Sequence, residues 1–233
     1  VARDKWLKNN GVMYTSSAHI YASPCNMSAM IEQKVNYWGD VYGLDFSPIA
    51  PYATEKLLSK PYIDHLEAEQ LLSDRVLLKK IDIKTVTIAE LHSIRSQATF
   101  TIKKSGILQG FCIWFDVVFE GSEETVVLDT APGIPSTHWK QTVLLLPEHF
   151  EISEGLELPA IFSIESDSHN HRHYHLSVEL GDGSAEDEEA ADGEEDDDEE
   201  CEPDCECIKC KLIRALTEKY NSEEYKQQRT AEE

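Results

Sequence analysis

The stretch from Gly110 to Phe119 limits the possible folds of this chain more than any other. Phe111, Ile113, Phe115, Val117 and Phe119 alternate along one face of a strand, and Cys112, Trp114 and Val118 line the other beside a single acid, Asp116. A strand that is apolar on both faces needs cover on both, so it belongs inside a sheet and under a second layer. Further strand patterns surround it. Leu77 to Thr87 places Ile81, Ile83 and Thr85 at alternate positions, a short strand is expected around His19 to Ala22, and Thr99 to Lys103 is another candidate. Thr125 to Asp129, Trp139 to Leu146, Leu158 to Ser163 and Tyr174 to Leu180 complete the set, with turns at Gly121, Pro132–Gly133, Glu154–Gly155 and Ser168–Asn170. Short strands at regular spacing predict a mainly β protein, a distorted barrel or sandwich.

Two segments break the β pattern. Ile31, Val35, Trp38, Val41 and Tyr42 fall at helical spacing before Gly43; after Pro48 and Pro51 a shorter helical pattern runs from Ala53 to Ser59 and stops at Pro61. Residues 29–66 therefore read as a helical insertion within a β domain at 11–180. At the other break, residues 1–10 read as the end of a helix, with Asn9, Asn10 and Gly11 as its stop. A chain opening on the last turn of a helix, without an initiator Met, is expected to begin inside a longer protein.

Charge separates the body from the tail. The formal net charge is −23, yet sixteen acids and no Lys or Arg lie between Gly181 and Ile208, which leaves about −7 for the remainder. Residues 181–206 form a low-complexity acidic linker, expected to be disordered because it has too little apolar surface to offset its ordering entropy. In residues 207–233, Leu212, Ile213, Leu216 and Tyr220 share one face of a short amphipathic helix. Neither body nor tail carries the clustered Lys and Arg that a nucleic-acid surface needs. No apolar run approaches the ~18 residues of a membrane span, and no signal peptide is recognisable. Four of the six cysteines crowd into the tail, unlike a secreted disulfide scaffold, so a reducing compartment, cytoplasmic or nuclear, is expected.

Three motifs carry a resemblance to one family. Residues 2–7, Ala-Arg-Asp-Lys-Trp-Leu, resemble the helix after the catalytic acidic loop of protein arginine N-methyltransferases. Tyr37 to Phe46, Tyr-Trp-Gly-Asp-Val-Tyr-Gly-Leu-Asp-Phe, is similar to the segment leading into that family's dimerisation arm. Thr137 to Thr142, Thr-His-Trp-Lys-Gln-Thr, is similar to its Thr-His-Trp loop. Their order over most of the chain makes the match specific, although Thr15 stands where the family often has a proline.

The resemblance implies a two-part, dimeric enzyme. A Rossmann-like half binds S-adenosylmethionine and holds the target guanidinium with two glutamates; a β-barrel half, interrupted by the helical arm, closes the arginine groove. This chain matches the barrel and arm and shows no Gly-rich nucleotide loop, so alone it is expected to be inactive. By resemblance His138 pairs with a carboxylate of the other half and assists proton handling or the integrity of the active site. Trp139 offers an aromatic face to the cationic substrate, and Thr137 is placed with it on the substrate-binding side, where it fixes the loop backbone more than it touches substrate. Trp38 and Tyr42 are assigned to dimer contacts. Substrates would be Arg-rich basic proteins such as histones or Gly-Arg-rich tails, which the acidic linker could recruit. The alternative is a non-catalytic acidic scaffold or chaperone for basic proteins.

Two clusters suggest metal. Cys201, Cys205, Cys207 and Cys210 could wrap one tetrahedral Zn²⁺, or form a reduced, redox-sensitive tail, since no second knuckle accompanies them. His169, His171, His173 and His175 alternate and would share a face on a strand, but Asn170 and Arg172 between them favour a polar hairpin.

Overall fold

The computed structural model describes residues 2–8, 11–170 and 172–181. Its elements are α1 (Ala2–Trp6), β1 (Ser17–Cys25), α2 (Ser28–Lys34), α3 (Ala50–Leu58), β2 (Tyr62–Asp64), β3 (Val76–Asp82), α4 (Ile88–His92), β4 (Ser93–Thr101), β5 (Gly106–Glu120), β6 (Thr125–Asp129), β7 (Gln141–Ile152), β8 (Glu157–Ser166) and β9 (Tyr174–Leu180). Short 3₁₀ turns stand at Asn36–Gly39, Ser47–Ile49 and Ala68–Gln70.

All the paired strands are antiparallel. One sheet runs β2-β7-β5-β1-β3, with β6 also pairing β5; a second runs β4-β8-β9. The sheets do not join into a closed ladder. Where the edges β3 and β4 meet, the link is a side chain: Ser96 Oγ donates to the Leu78 carbonyl at 2.8 Å. The chain is thus mainly β, a barrel-like pair of sheets left open.

β5 explains the arrangement. One of its edges lies along β1, and the other pairs first β7 and then β6. Its first face sends Phe111 against Phe100 of β4 and Phe162 of β8, with ring centroids 5.3–6.0 Å apart and tilted or edge-to-face geometry. These three fully buried rings fasten the two sheets together. The second face carries Cys112 and Trp114 into a separate cluster with Cys25, Met27, Met30, Leu66 and Val143. Leu57 and Tyr62 pack against this cluster, so the same strand also anchors the inserted arm. Burial pushes the Cys25 thiol far up and that of Cys112 to about 12, which keeps both as neutral packing groups.

Two positions on this path answer to close contact with β7. A Cβ at Gly110 would lie 2.6 Å from the Leu144 carbonyl oxygen, where β7 presses on β5. Opposite the neighbouring Gln109 the ladder is interrupted, and β7 carries Pro147 there, which has no N–H to offer. Freed from the ladder, Gln109 turns its side chain to the start of α2. Its Oε1 accepts from the Met27 amide at 2.6 Å and the Ser28 hydroxyl at 3.1 Å.

The helical pattern of residues 29–43 resolves into shorter pieces than the spacing predicts. α2 stops at Lys34, and Trp38 folds back so that its Nε1–H donates to the Lys34 carbonyl at 3.2 Å. Val41 and Leu44 then exchange backbone hydrogen bonds around Tyr42 (φ 56°) and Gly43 (φ 83°), a two-residue reversal with both central residues left-handed. The strand expected over Leu77 to Thr87 ends at Asp82. Its carboxylate accepts from the Lys84 amide, and a Thr87–Glu90 capping box starts α4 instead. β4 begins at Ser93, earlier than expected, because its first half is polar on the outward face.

Phe162→Ala would leave a cavity where the three rings meet. A loss of about 3–5 kcal/mol is expected in urea unfolding, whereas Val127→Ala on the exposed face of β6 is expected to cost under about 0.5 kcal/mol.

Candidate substrate-facing loop and arm

The loop from Ala131 to Lys140 links β6 to β7 and contains Thr137, His138 and Trp139. Thr130, buried at its start, donates from Oγ1 to the Phe115 carbonyl at 2.7 Å. At the far end, buried Gln141 acts as a clamp. Its Oε1 accepts from the Leu66 amide and its Nε2–H donates to the Thr130 carbonyl, both at 2.8 Å. Gly133 meets Ala68 so closely that a Cβ would sit 2.7 Å from the alanine Cβ, and its φ of +79° already favours glycine. His65 and Ser136 form a further link at 3.2 Å between Nε2 and Oγ. Held at both ends, the loop borders a small hollow with residues 65–67 that includes Thr137, Trp139 and Gln141.

Within the loop Thr137 Oγ1 donates to the Trp139 carbonyl at 2.9 Å, so the hydroxyl is used on backbone. The His138 ring lies against Trp139, tilted by 34° at 3.8 Å between centroids, and Trp139 meets Phe115 edge-on at 6.2 Å. Trp139 remains 42% exposed. The arrangement presents an aromatic face and an accessible imidazole on a braced loop, a surface suited to a cation with a directional hydrogen-bond partner.

The arm presents apolar surface. Tyr37, Leu44, Phe46, Ile49 and Tyr52 are exposed, and Tyr42 is 98% exposed at the tip of its turn. Trp38 is half-buried against its own helix and meets Tyr37 edge-on at 5.5 Å.

A polar network that pattern reading does not single out crosses β1 and β5. His19 Nδ1 lies 2.6 Å from the Asp116 carboxylate, and both side chains are largely buried. Burial, then hydrogen bonding to Asp116, raises the Tyr21 phenol pKa. The Arg75 guanidinium stands 4.6 Å over the Tyr21 ring and 3.4 Å from Asp129. Asp116 is visible in the sequence as the one acid on an apolar face; its partner His19, 97 residues away, has no local signal.

The histidine-rich segment is a turn. Asp167 accepts the amides of Asn170 and His169 and pairs with His175 Nε2 at 3.0 Å, which together hold its carboxyl at about 2. His171 lies outside the described residues, as do Cys201, Cys205, Cys207 and Cys210 and the amphipathic pattern of 207–233. Among the described residues no group of three or more His, Cys, Asp or Glu could hold a metal ion.

Gln141→Leu removes one acceptor and one donor from buried backbone partners. It is expected to cost about 1–3 kcal/mol, and to speed exchange of the Leu66 amide hydrogen by about tenfold or more while Phe162 stays protected.

Comparison with known proteins matches this architecture. Residues 16–184 match the family described as the arginine methyltransferase oligomerization subdomain. Protein arginine N-methyltransferase 2 of Xenopus tropicalis is 40% identical over 157 residues, covering 66% of this chain and 36% of the relative. Protein arginine N-methyltransferase 6 of Xenopus laevis is 34% identical over 161 residues, covering 67% and 47%. The chain thus spans less than half the length of these curated relatives. Among solved structures, the Trypanosoma brucei PRMT1 enzyme–prozyme heterotetrameric complex with AdoHcy superposes with a TM-score of 0.67 at 26% identity, over 79% of this chain and 57% of that one. Arabidopsis thaliana protein arginine methyltransferase 10 gives 0.60 at 25% identity, over 79% and 60%. With its described strands, open barrel and inserted arm inside the matched span, the chain belongs to the arginine methyltransferase oligomerization subdomain family.

Proposed function

We propose that this chain is the barrel and dimerisation part of an S-adenosylmethionine-dependent protein arginine N-methyltransferase. In this reading it closes the groove that holds the substrate arginine. The observation that carries the reading is the braced loop, which offers Trp139 and His138 together beside a small hollow. The donor cofactor itself does not fit the described residues: the paired strands are all antiparallel, with no parallel strand–loop–helix unit to cradle a nucleoside. Its binding belongs to the other half of the enzyme.

What these residues do is bind and orient. A guanidinium placed over the exposed Trp139 face gains about 0.5–2 kcal/mol, and Phe115 behind the indole keeps that face from turning away. The His138 imidazole is free to hydrogen-bond a carboxylate from the cofactor-binding half and to hold or pass the proton released by the guanidinium nitrogen. Thr137 acts only by fixing the carbonyl of Trp139. The substrates are Arg-rich basic proteins, histones or Gly-Arg-rich tails, with the acidic segment drawing them in electrostatically. Two buried free thiols, Cys25 and Cys112, accord with a cytoplasmic or nuclear setting.

The arm supports homodimerisation. Tyr42 bears a left-handed backbone that costs a non-glycine residue about 1–3 kcal/mol, while its ring touches nothing that would repay the strain within one chain. A partner surface would. Tyr42→Asn is expected to relieve strain and leave the monomer as stable or slightly more so, yet to weaken self-association by about tenfold or more in sedimentation equilibrium. A wild-type chain that stays monomeric at high concentration would remove the dimer reading. For the chemistry, the chain joined to the cofactor-binding half of a relative should methylate an Arg-rich peptide. His138→Ala should lower kcat by about 10²-fold or more, and full activity in that variant would take His138 out of the mechanism.

A further inference from the structure

Beside the substrate-facing loop, and sharing Ala131 as a wall with its hollow, lies a second and larger hollow. Its rim carries Arg75, Lys103 and Lys104, and its apolar lining includes Leu71, Pro132 and Trp114. In a chain with 44 acids against 21 Lys and Arg, three bases around one hollow run against composition.

The rim is built rigidly. Ser73 and Ile102 form a β-bridge, the Lys103 amide donates to the Leu72 carbonyl at 2.8 Å, and Lys104 Nζ reaches the Glu69 carbonyl. The segment before β3 and the segment after β4 are thereby tied together. The Arg75 guanidinium stands over the Tyr21 ring, with Asp129 at 3.4 Å. Trp114, only 3% exposed, has the one buried side-chain nitrogen or oxygen among the described residues that lacks a hydrogen-bond partner, Nε1. A buried indole N–H without an acceptor is costly and unusual, and the indole that carries it forms part of the wall of the hollow.

We propose that this hollow binds the carboxylate of a Glu or Asp side chain from an acidic peptide segment, with the oxyanion among Arg75, Lys103 and Lys104 and the aliphatic stem against Leu71, Pro132 and Trp114. Two carboxylates of the fold already show the preference: Asp74 stands 3.6 Å from Lys103, and Asp129 3.4 Å from Arg75. Both contacts are long and exposed, so they exchange readily for a better-placed partner. They also hold the local positive charge low, which suits a monoanion with an apolar stem over a phosphate dianion. The site shares Ala131 and Pro132 with the loop that carries His138 and Trp139 but uses neither of those side chains, and it does not depend on the methyltransferase reading.

The test is an NMR titration of the full chain with an acetylated hexaglutamate peptide, following the indole N–H signals, with that of Trp114 assigned through Trp114→Phe. Saturable movement of the Trp114 indole signal is expected, weakening several-fold as salt is raised from about 0.1 to 0.5 M. The surface variant Lys103→Glu/Lys104→Glu should weaken binding by about tenfold or more. Lys56→Glu/Lys84→Glu, with the same change of net charge elsewhere, should alter it by less than about twofold. Equal weakening in both double variants would reduce the effect to overall charge and overturn the site. So would an unmoved Trp114 signal. Inorganic phosphate that moves the same signal at lower concentration than the peptide would overturn the carboxylate assignment in favour of a phosphate ligand.

Discussion

The structure depends on β5 being buried on both faces at once. Phe111 meets Phe100 and Phe162 and holds the second sheet; one residue later Cys112, and then Trp114, close the cluster on which the arm rests. Because successive side chains of a strand point in opposite directions, a register slip of one residue would exchange these two sets. Small sulfur and large indole would then face the ring cluster, and the phenylalanine rings would face the arm. The long pairing with β1, from Ser17↔Val118 to Cys25↔Gly110 without interruption, fixes the register against that exchange. The sheets can remain an open barrel because the join lies in the middle of the molecule, across three rings, and does not require a closed ladder at the edges.

Polar side chains carry this rigidity outward. Gln109 sits where the β5–β7 ladder is interrupted, and its amide serves the start of α2. Gln141 sits at the first residue of β7 and ties residue 66 to residue 130. Each is a buried amide whose contacts are to backbone or to a cap, so each converts a strand position into a fixed loop position. The ends of the loop that holds the Thr137–Trp139 segment are therefore fixed by Gln141, the first residue of β7, and by Thr130 just after β6.

This division also accounts for what the sequence reveals. Strands β5, β6 and β9 are legible because their alternation, or their apolar run, is bounded by strong turns. β4 is legible only in its second half, since Ser93, Arg95 and Gln97 face outward and Ser96 bonds the edge of β3, leaving Ile94 as the lone large apolar residue of the first half. The strand expected through Thr87 is overruled by local side-chain bonds, from Asp82 to Lys84 and between Thr87 and Glu90, which periodicity does not weigh. Thr137, His138 and Trp139 are named by motif; that the Thr137 hydroxyl donates to the Trp139 carbonyl is visible only in the structure. The clamp Gln141 stands within the same Thr137–Thr142 motif but has no role legible there, because its partners Leu66 and Thr130 are supplied by other segments. His19 with Asp116 is hidden for the same reason: antiparallel pairing of β1 and β5 sets them opposite each other, and no spacing along the chain records it.

The arm shows how an exposed segment can keep a costly conformation. Asp40 accepts the Gly43 amide at 2.8 Å, and the Phe46 amide returns to the Trp38 carbonyl at 2.8 Å, so the reversal is specified by backbone and a carboxylate. Nothing in that scheme requires a large aromatic residue at the tip, and Asn or Gly would take the left-handed position with less strain. A tyrosine there is held in a disfavoured backbone and pointed into solvent, at the expense of the isolated chain. Tyr37, Leu44, Phe46, Ile49 and Tyr52 are exposed on the same arm, and together they give more apolar surface than one turn of chain needs for its own folding. In the proposed dimer the strain and the exposed surface belong together: the monomer would carry the conformational cost in advance, and association would meet a preorganised arm.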